Sequence, residues 1–107
     1  MTPVIVLTTV GATQDVDSLA TQLVEKRLAA CVNVIPQIHS VYRWKDAVEH
    51  ESEQMLLIKT VQERVNELLE AMRTLHPYEV PEFIVIRIDD LSDAYRTWLT
   101  GELQRTE

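Results

Sequence analysis

The chain has 107 residues, 46% apolar and 25% charged, and ten basic against seventeen acidic side chains leave a net charge of −7. That length and balance predict one globular domain over residues 1–107 and exclude a disordered chain. The scattered Lys and Arg form no basic stripe, so no nucleic-acid partner is expected, and no run nears the roughly 18 apolar residues of a membrane span.

The start, MTPVIVLTT, lacks the basic segment of a signal peptide, so a cytoplasmic protein is expected. Val4-Ile5-Val6-Leu7 predicts a strand covered on both faces. Gly11 marks the turn into a helix whose apolar face is Val16, Leu19, Ala20, Leu23, Val24 and Leu28, with Asp15 and Asp17 favouring its first turn. Cys31 is the only cysteine, which excludes an intramolecular disulfide and a thiolate cluster. Its setting, RLAACVNV, predicts a buried packing thiol.

From Cys31 to Trp44 the period becomes two, with Val32, Val34, Ile38, Tyr42 and Trp44 expected on one side and Pro36 interrupting the ladder as at an edge or bulge. After a polar link Lys45-Asp46-Ala47, a second extended stretch returns from about Val48 to Lys59. Thr60 and Glu63 have the spacing of a capping box at the start of a helix with Val65, Leu68, Leu69, Met72 and Leu75 as its stripe. Phe83 to Ile86 with Ile88 forms the fourth strand, and Ser92 caps a short last helix ended by Gly101.

The order is α+β, a ferredoxin-like β-α-β-β-α-β arrangement with a long hairpin and a short C-terminal helix. Residues 31–44, fully extended, would span roughly 45 Å at about 3.3 Å each, against a radius of gyration of about 13 Å for a domain of this size. Such an arm overhangs its own body, and pairing with further copies of the chain is the simplest cover for its edges. A kink at Pro36 that folds the arm back is the alternative.

With this order in place, RLAACVNV at 27–34, SVYRW at 40–44, VEHESEQMLLIKT at 48–60 and HPYEVPE at 76–82 resemble the CutA family, the divalent-cation tolerance proteins, over nearly the whole chain. The resemblance implies a tight, cytoplasmic homotrimer built through the long strands and a role in tolerance of Cu²⁺ or another divalent cation. It also implies copper ligands: a cysteine near the end of the first strand and two adjacent histidines before a Pro-Tyr. Here Thr8-Thr9 and Leu75-His76 stand at those places, so only His76 carries over.

The residues give their own candidates. Pro77 and Pro81 stiffen HPYEVPEF, which would present His76, Tyr78, Glu79 and Glu82 as nitrogen and oxygen ligands; the alternative has His76 at the helix terminus and Tyr78 as packing. Tyr42, Arg43, Trp44 and Lys59 form a second group, which the resemblance places near a ligand cleft between subunits, with Tyr78 and Glu82 as further cleft members; the alternative is an interface core. Glu49, Glu51 and Glu53 alternate on one strand face, where they would collect a hard cation or form a solvated edge. His39 and His50 would each suit copper and would meet across the hairpin only in the right register. No GxSxG, HExxH or Gly-rich phosphate loop occurs, so a non-enzyme is expected, with a small-ligand sensor or scaffold trimer as the rival reading and a His76–Glu82 hydrolase behind it.

Overall fold

The computed structural model describes residues 1–75 and 78–105. The elements are β1 (Pro3–Gly11), α1 (Val16–Glu25), β2 (Cys31–Trp44), β3 (Ala47–Val61), α2 (Val65–Leu75), β4 (Ile84–Arg87) and α3 (Asp93–Glu102). The four strands form one antiparallel sheet in the order β2-β3-β1-β4, an α+β fold.

One face of the sheet carries the main core. Val4, Val6, Val10, Leu56 and Ile58 are fully buried there with Leu23, Leu68 and Met72 from α1 and α2. A smaller cluster of Ala30, Val61, Leu99 and Leu103 docks α3. Arg64 donates to the Leu103 carbonyl at 2.7 Å, and Arg105 grips both carboxylate oxygens of Glu67 at 3.0 and 2.7 Å. These bonds tie Leu103 and Arg105 to α2 and the turn before it.

The opposite face departs from the expectation that β1 is covered on both sides. Ile5 and Leu7 are half-buried; in register, Ile5 lies beside Lys59 and Ile86, and Leu7 beside Leu57 and Ile84. Ile84 and Ile86 are exposed. Directly opposed residues share a face, so an apolar surface runs over three strands with neither α1 nor α2 upon it. Cys31 opposes Lys59 on this face and is half-buried, a correction to the fully buried thiol; its Sγ lies 3.7 Å from Asn33 Oδ1.

The hairpin is as long as expected, and the molecule's longest extent is 45 Å with a Cα radius of gyration of 14.6 Å. The predicted single side for Val32, Val34, Ile38, Tyr42 and Trp44 does not hold. Ile35 opposes Met55, but Ile38 opposes Glu53, so the Pro36 region inserts one extra residue into β2. A one-residue bulge exchanges the faces beyond it. Val32 and Val34 therefore face the helices, opposite Ile58 and Leu56, whereas Ile38, Tyr42 and Trp44 share the face of Glu53, Glu49 and Ala47.

Three further expectations are corrected. Thr60 does not cap α2: it ends β3, is fully buried, and donates its hydroxyl to the Leu28 carbonyl at 2.7 Å. Glu63 instead accepts from the Thr2 backbone N–H at 2.9 Å, and a 3₁₀ turn over Gln62–Arg64 leads into α2. Gly101 does not end α3, which runs on to Glu102; Ser92 does cap it, accepting from Tyr95 N at 3.3 Å. α1 stops at Glu25, short of Leu28, with its cap Asp15 accepting from Ser18 N at 3.1 Å.

The hairpin turn is tighter than the sequence suggested. Trp44 opposes Ala47, leaving Lys45 and Asp46 as a two-residue loop with φ of 48° and 66°. Both angles lie in the left-handed region that a type I′ turn needs and that Asn-Gly fills without strain. Replacing Lys45-Asp46 by Asn-Gly is expected to stabilise the chain by about 1 kcal/mol, read as a rise in the midpoint of chemical unfolding with an unchanged denaturant slope.

Candidate functional site

The bulge decides which side chains meet. Beyond it, Ser40 opposes Glu51 and Tyr42 opposes Glu49, so the alternating glutamates and the aromatic residues share one face. The segment after residue 77 closes over them. Tyr78 donates its hydroxyl to Glu53 Oε2 at 2.8 Å, anchoring the segment to β3. The base of this arrangement is held by Gln54, whose Nε2 donates to the Gly11 and Gln14 carbonyls, each at 3.0 Å. Gln14 in turn donates to the Leu75 carbonyl at 3.4 Å, fixing the end of α2 beside the β1–α1 turn.

The result is a cleft of about 820 Å³ lined by Thr9, Ser40, Tyr42, Trp44, Tyr78 and Val80 and by five carboxylates, Glu49, Glu51, Glu53, Glu79 and Glu82. No lysine or arginine lines it among the described residues. Glu53 is 6% exposed, so one of these charges is held largely out of water. Burial pushes the Tyr78 hydroxyl well up, and the hydrogen bond and charge of Glu53 add to it. Tyr42 is raised in the same sense by loss of solvation, by its hydrogen bond to Glu51, and by the charges of Glu51, Glu53 and Glu49.

Of the residues singled out in sequence, Tyr42, Trp44, Tyr78 and Glu82 come together here. Lys59 does not join them within one chain. It lies on the open sheet face opposite Cys31 and Ile5 and donates its Nζ to Asn33 Oδ1. Six residues of strand, roughly 20 Å, separate it from Glu53. His76 lies outside the described residues. The lining by Thr9 and Ser40 was not read from sequence. Treating Lys45-Asp46 as a two-residue turn would have given Ser40, since that loop alone fixes Tyr42 opposite Glu49 and Ser40 opposite Glu51.

Chemically, the cleft attracts cations and offers oxygen ligands with aromatic walls. The fit to a bound metal ion is partial: among the described residues no three His, Cys, Asp or Glu side chains converge as a coordination group. Thr9, near the end of β1, supplies a hydroxyl and no thiolate, so a soft copper site of the Cys-His-His kind does not fit these residues. No helix among the described residues is long and apolar enough to cross a membrane.

Comparison with known proteins gives a consistent set of relatives. The family model described as CutA1 divalent ion tolerance protein matches residues 4–102. A Protein CutA homolog of Xenopus laevis is 48% identical over 76% of the chain and 54% of its own length. The divalent-cation tolerance protein CutA of Thermus thermophilus is 41% identical over 89% of the chain and 92% of its own length. A chloroplastic Protein CutA of Arabidopsis thaliana is 42% identical over 90% of the chain and 53% of its own length. The chain thus spans about half the length of the animal and plant relatives it matches. Among solved structures, CutA1 from Oryza sativa superimposes with a TM-score of 0.93 at 33% identity, covering 99% of this chain and 97% of that one. A protein described as PII-like CutA from Nostoc, in apo form, gives 0.86 at 35% identity, covering 94% and 97%.

Proposed function

The chain belongs to the CutA1 divalent ion tolerance family, and from that premise we propose that it acts in tolerance of divalent metal ions, copper among them, by binding the cation weakly in the acidic cleft. The observation that carries this reading is the convergence of five glutamates with no basic side chain among the described lining residues. Acidic sequence alone would scatter such charges over the surface; here one hairpin face and one loop concentrate them. A divalent ion sits favourably in that field even where the described residues of one chain form no complete coordination group. His76, two residues before Tyr78 in sequence, is the proposed nitrogen donor that would add affinity for Cu²⁺ or Zn²⁺.

The working form in this proposal is a cytoplasmic homotrimer with the ferredoxin-like subunit architecture. Its support is physical. The open sheet face around Ile5, Leu7 and Leu57 is apolar, and among the described residues no strand pairs with β3 beyond Glu53 on the β1 side, because β1 ends at Gly11. An apolar face and an unpaired edge are both satisfied by further copies of the same chain. In this proposal the protein acts by binding the cation and not as an enzyme.

A second reading is favoured by the size and aromatic walls of the cleft, about 820 Å³ with Tyr42, Trp44 and Tyr78, which fall in the range of small-molecule sites. In it the trimer senses or scaffolds a small ligand at the subunit boundary, where Lys59 on the open face of a neighbouring copy would take part. Deleting the gene separates the two. The cation reading expects greater sensitivity to Cu²⁺ or Zn²⁺, restored by the wild type and not by a variant with Glu49, Glu51 and Glu53 changed to Gln. Unchanged growth across the metal series would count against it.

A further inference from the structure

We infer that His39 and His50 form a second cation site, a two-histidine chelate for Zn²⁺ or a similar late first-row ion, on the side of the hairpin away from the acidic cleft. The register places them as diagonal neighbours: His39 opposes Ser52, and His50 opposes Val41. Their parity sets them on the opposite face from Tyr42 and Glu49. Within that face the rings are close, with centroids 5.5 Å apart and planes tilted by 32°. His50 Nδ1 lies 3.4 Å from His39 Nε2.

That separation is informative. A good N–H···N hydrogen bond would draw the two nitrogens to roughly 3.0 Å. Two imidazole nitrogens each about 2.0–2.1 Å from a tetrahedral ion stand about 3.3–3.4 Å apart. The pair is therefore spaced as one edge of a zinc tetrahedron, and the square-planar edge preferred by Cu²⁺, about 2.9 Å, would require the rings to close. Both side chains are exposed, so solvent reaches the remaining coordination positions. No third protein ligand completes the group among the described residues, which makes this an open, exchangeable site. The strands hold the two ligands before the ion arrives, so the chelate forms with little ordering of the backbone. This inference does not rest on the cleft reading, because no residue is shared between the two places.

The test is a Zn²⁺ titration of the intact chain followed by the imidazole Cε1–H resonances, with a chromogenic chelator competing for the metal. The sequence has three histidines, so each signal is assignable by single substitution. The His39 and His50 signals are expected to shift together with one saturation curve. His39→Ala and His50→Ala are each expected to lower that affinity ~10–100-fold, the range seen even for outer-shell partners, with the double variant no worse than either single one. Both positions are exposed, and metal-free unfolding curves matching the wild type confirm that the variants fold. The Glu49, Glu51 and Glu53 to Gln variant should keep this site. Independent shifts of the two signals, additive losses in the double variant, or Zn²⁺-driven association of chains at the same stoichiometry would overturn the intrachain chelate.

Discussion

Leu57→Asp is expected to convert an assembled protein into a folded single chain. Leu57 lies at the centre of the open face, opposite Leu7 on β1 and Asn33 on β2, and its side chain points away from the α1–α2 core. Within one chain the new carboxylate meets water and costs little. In an assembly covered by further copies it would be buried without a partner, at least ~3 kcal/mol for each copy, which is more than a hundredfold in the association constant. Sedimentation equilibrium should report three times the 12.3-kDa chain mass for the wild type and one chain for the variant. Far-ultraviolet dichroism of the variant should be unchanged, since Leu56 and Ile58, which hold the helices, are untouched. A wild type that sediments as one chain at micromolar concentration would remove the assembly from the account.

Neutralising the cleft is the second large effect. Glu49, Glu51 and Glu53 stand two residues apart on one strand face, with Glu79 and Glu82 across the cleft. Near contact, one unit charge pair is worth about 1 kcal/mol in bulk water and about 4 kcal/mol at the effective dielectric of a protein surface, and a divalent ion doubles either figure. Changing the three strand glutamates to Gln is therefore expected to weaken cation binding at least ~100-fold. The loss should shrink as salt is added, because the cleft is open to solvent. The same variant should be slightly more stable without metal at low salt, having lost repulsion between like charges on one face. Glu53→Gln keeps an oxygen acceptor for the Tyr78 hydroxyl, so the loop anchor survives the test.

Much of this architecture was legible in residues 1–44 and 65–72. Strands read as apolar runs, helices as 3.6-residue stripes, and the hairpin as two long extended stretches. What failed had specific causes. Pro36 was read as an interruption at an edge or bulge, but the face reversal that a bulge imposes was not carried through, and it moved Tyr42 and Trp44 to the side of the glutamates. Thr60 matched a capping pattern, yet a fully buried hydroxyl takes the carbonyl within reach, here that of Leu28. Gly101 looked like a helix stop and lies inside α3, whose Leu99 and Leu103 contacts hold the helix past it.

The cleft itself was half legible. Tyr42, Trp44, Tyr78 and Glu82 were grouped from sequence, and the glutamate run was noted apart from them. The missing link was the register. A three-residue link at Lys45-Asp46-Ala47 leaves the pairing open, whereas the observed two-residue turn fixes it, placing the glutamates under the aromatic side chains and the two histidines behind them. Lys59 was grouped by strand adjacency alone, and distance along β3 separates it from the cleft within a chain.

The most direct test of the cation reading is calorimetric titration of metal-free protein with Cu²⁺ and Zn²⁺. It should be run with His39→Ala and His50→Ala in place, so that the hairpin pair does not contribute. Saturable binding is expected, falling at least ~100-fold when Glu49, Glu51 and Glu53 become Gln and weakening further with His76→Ala. Binding of equal strength in all three proteins would contradict that reading and leave the cleft a solvated acidic surface.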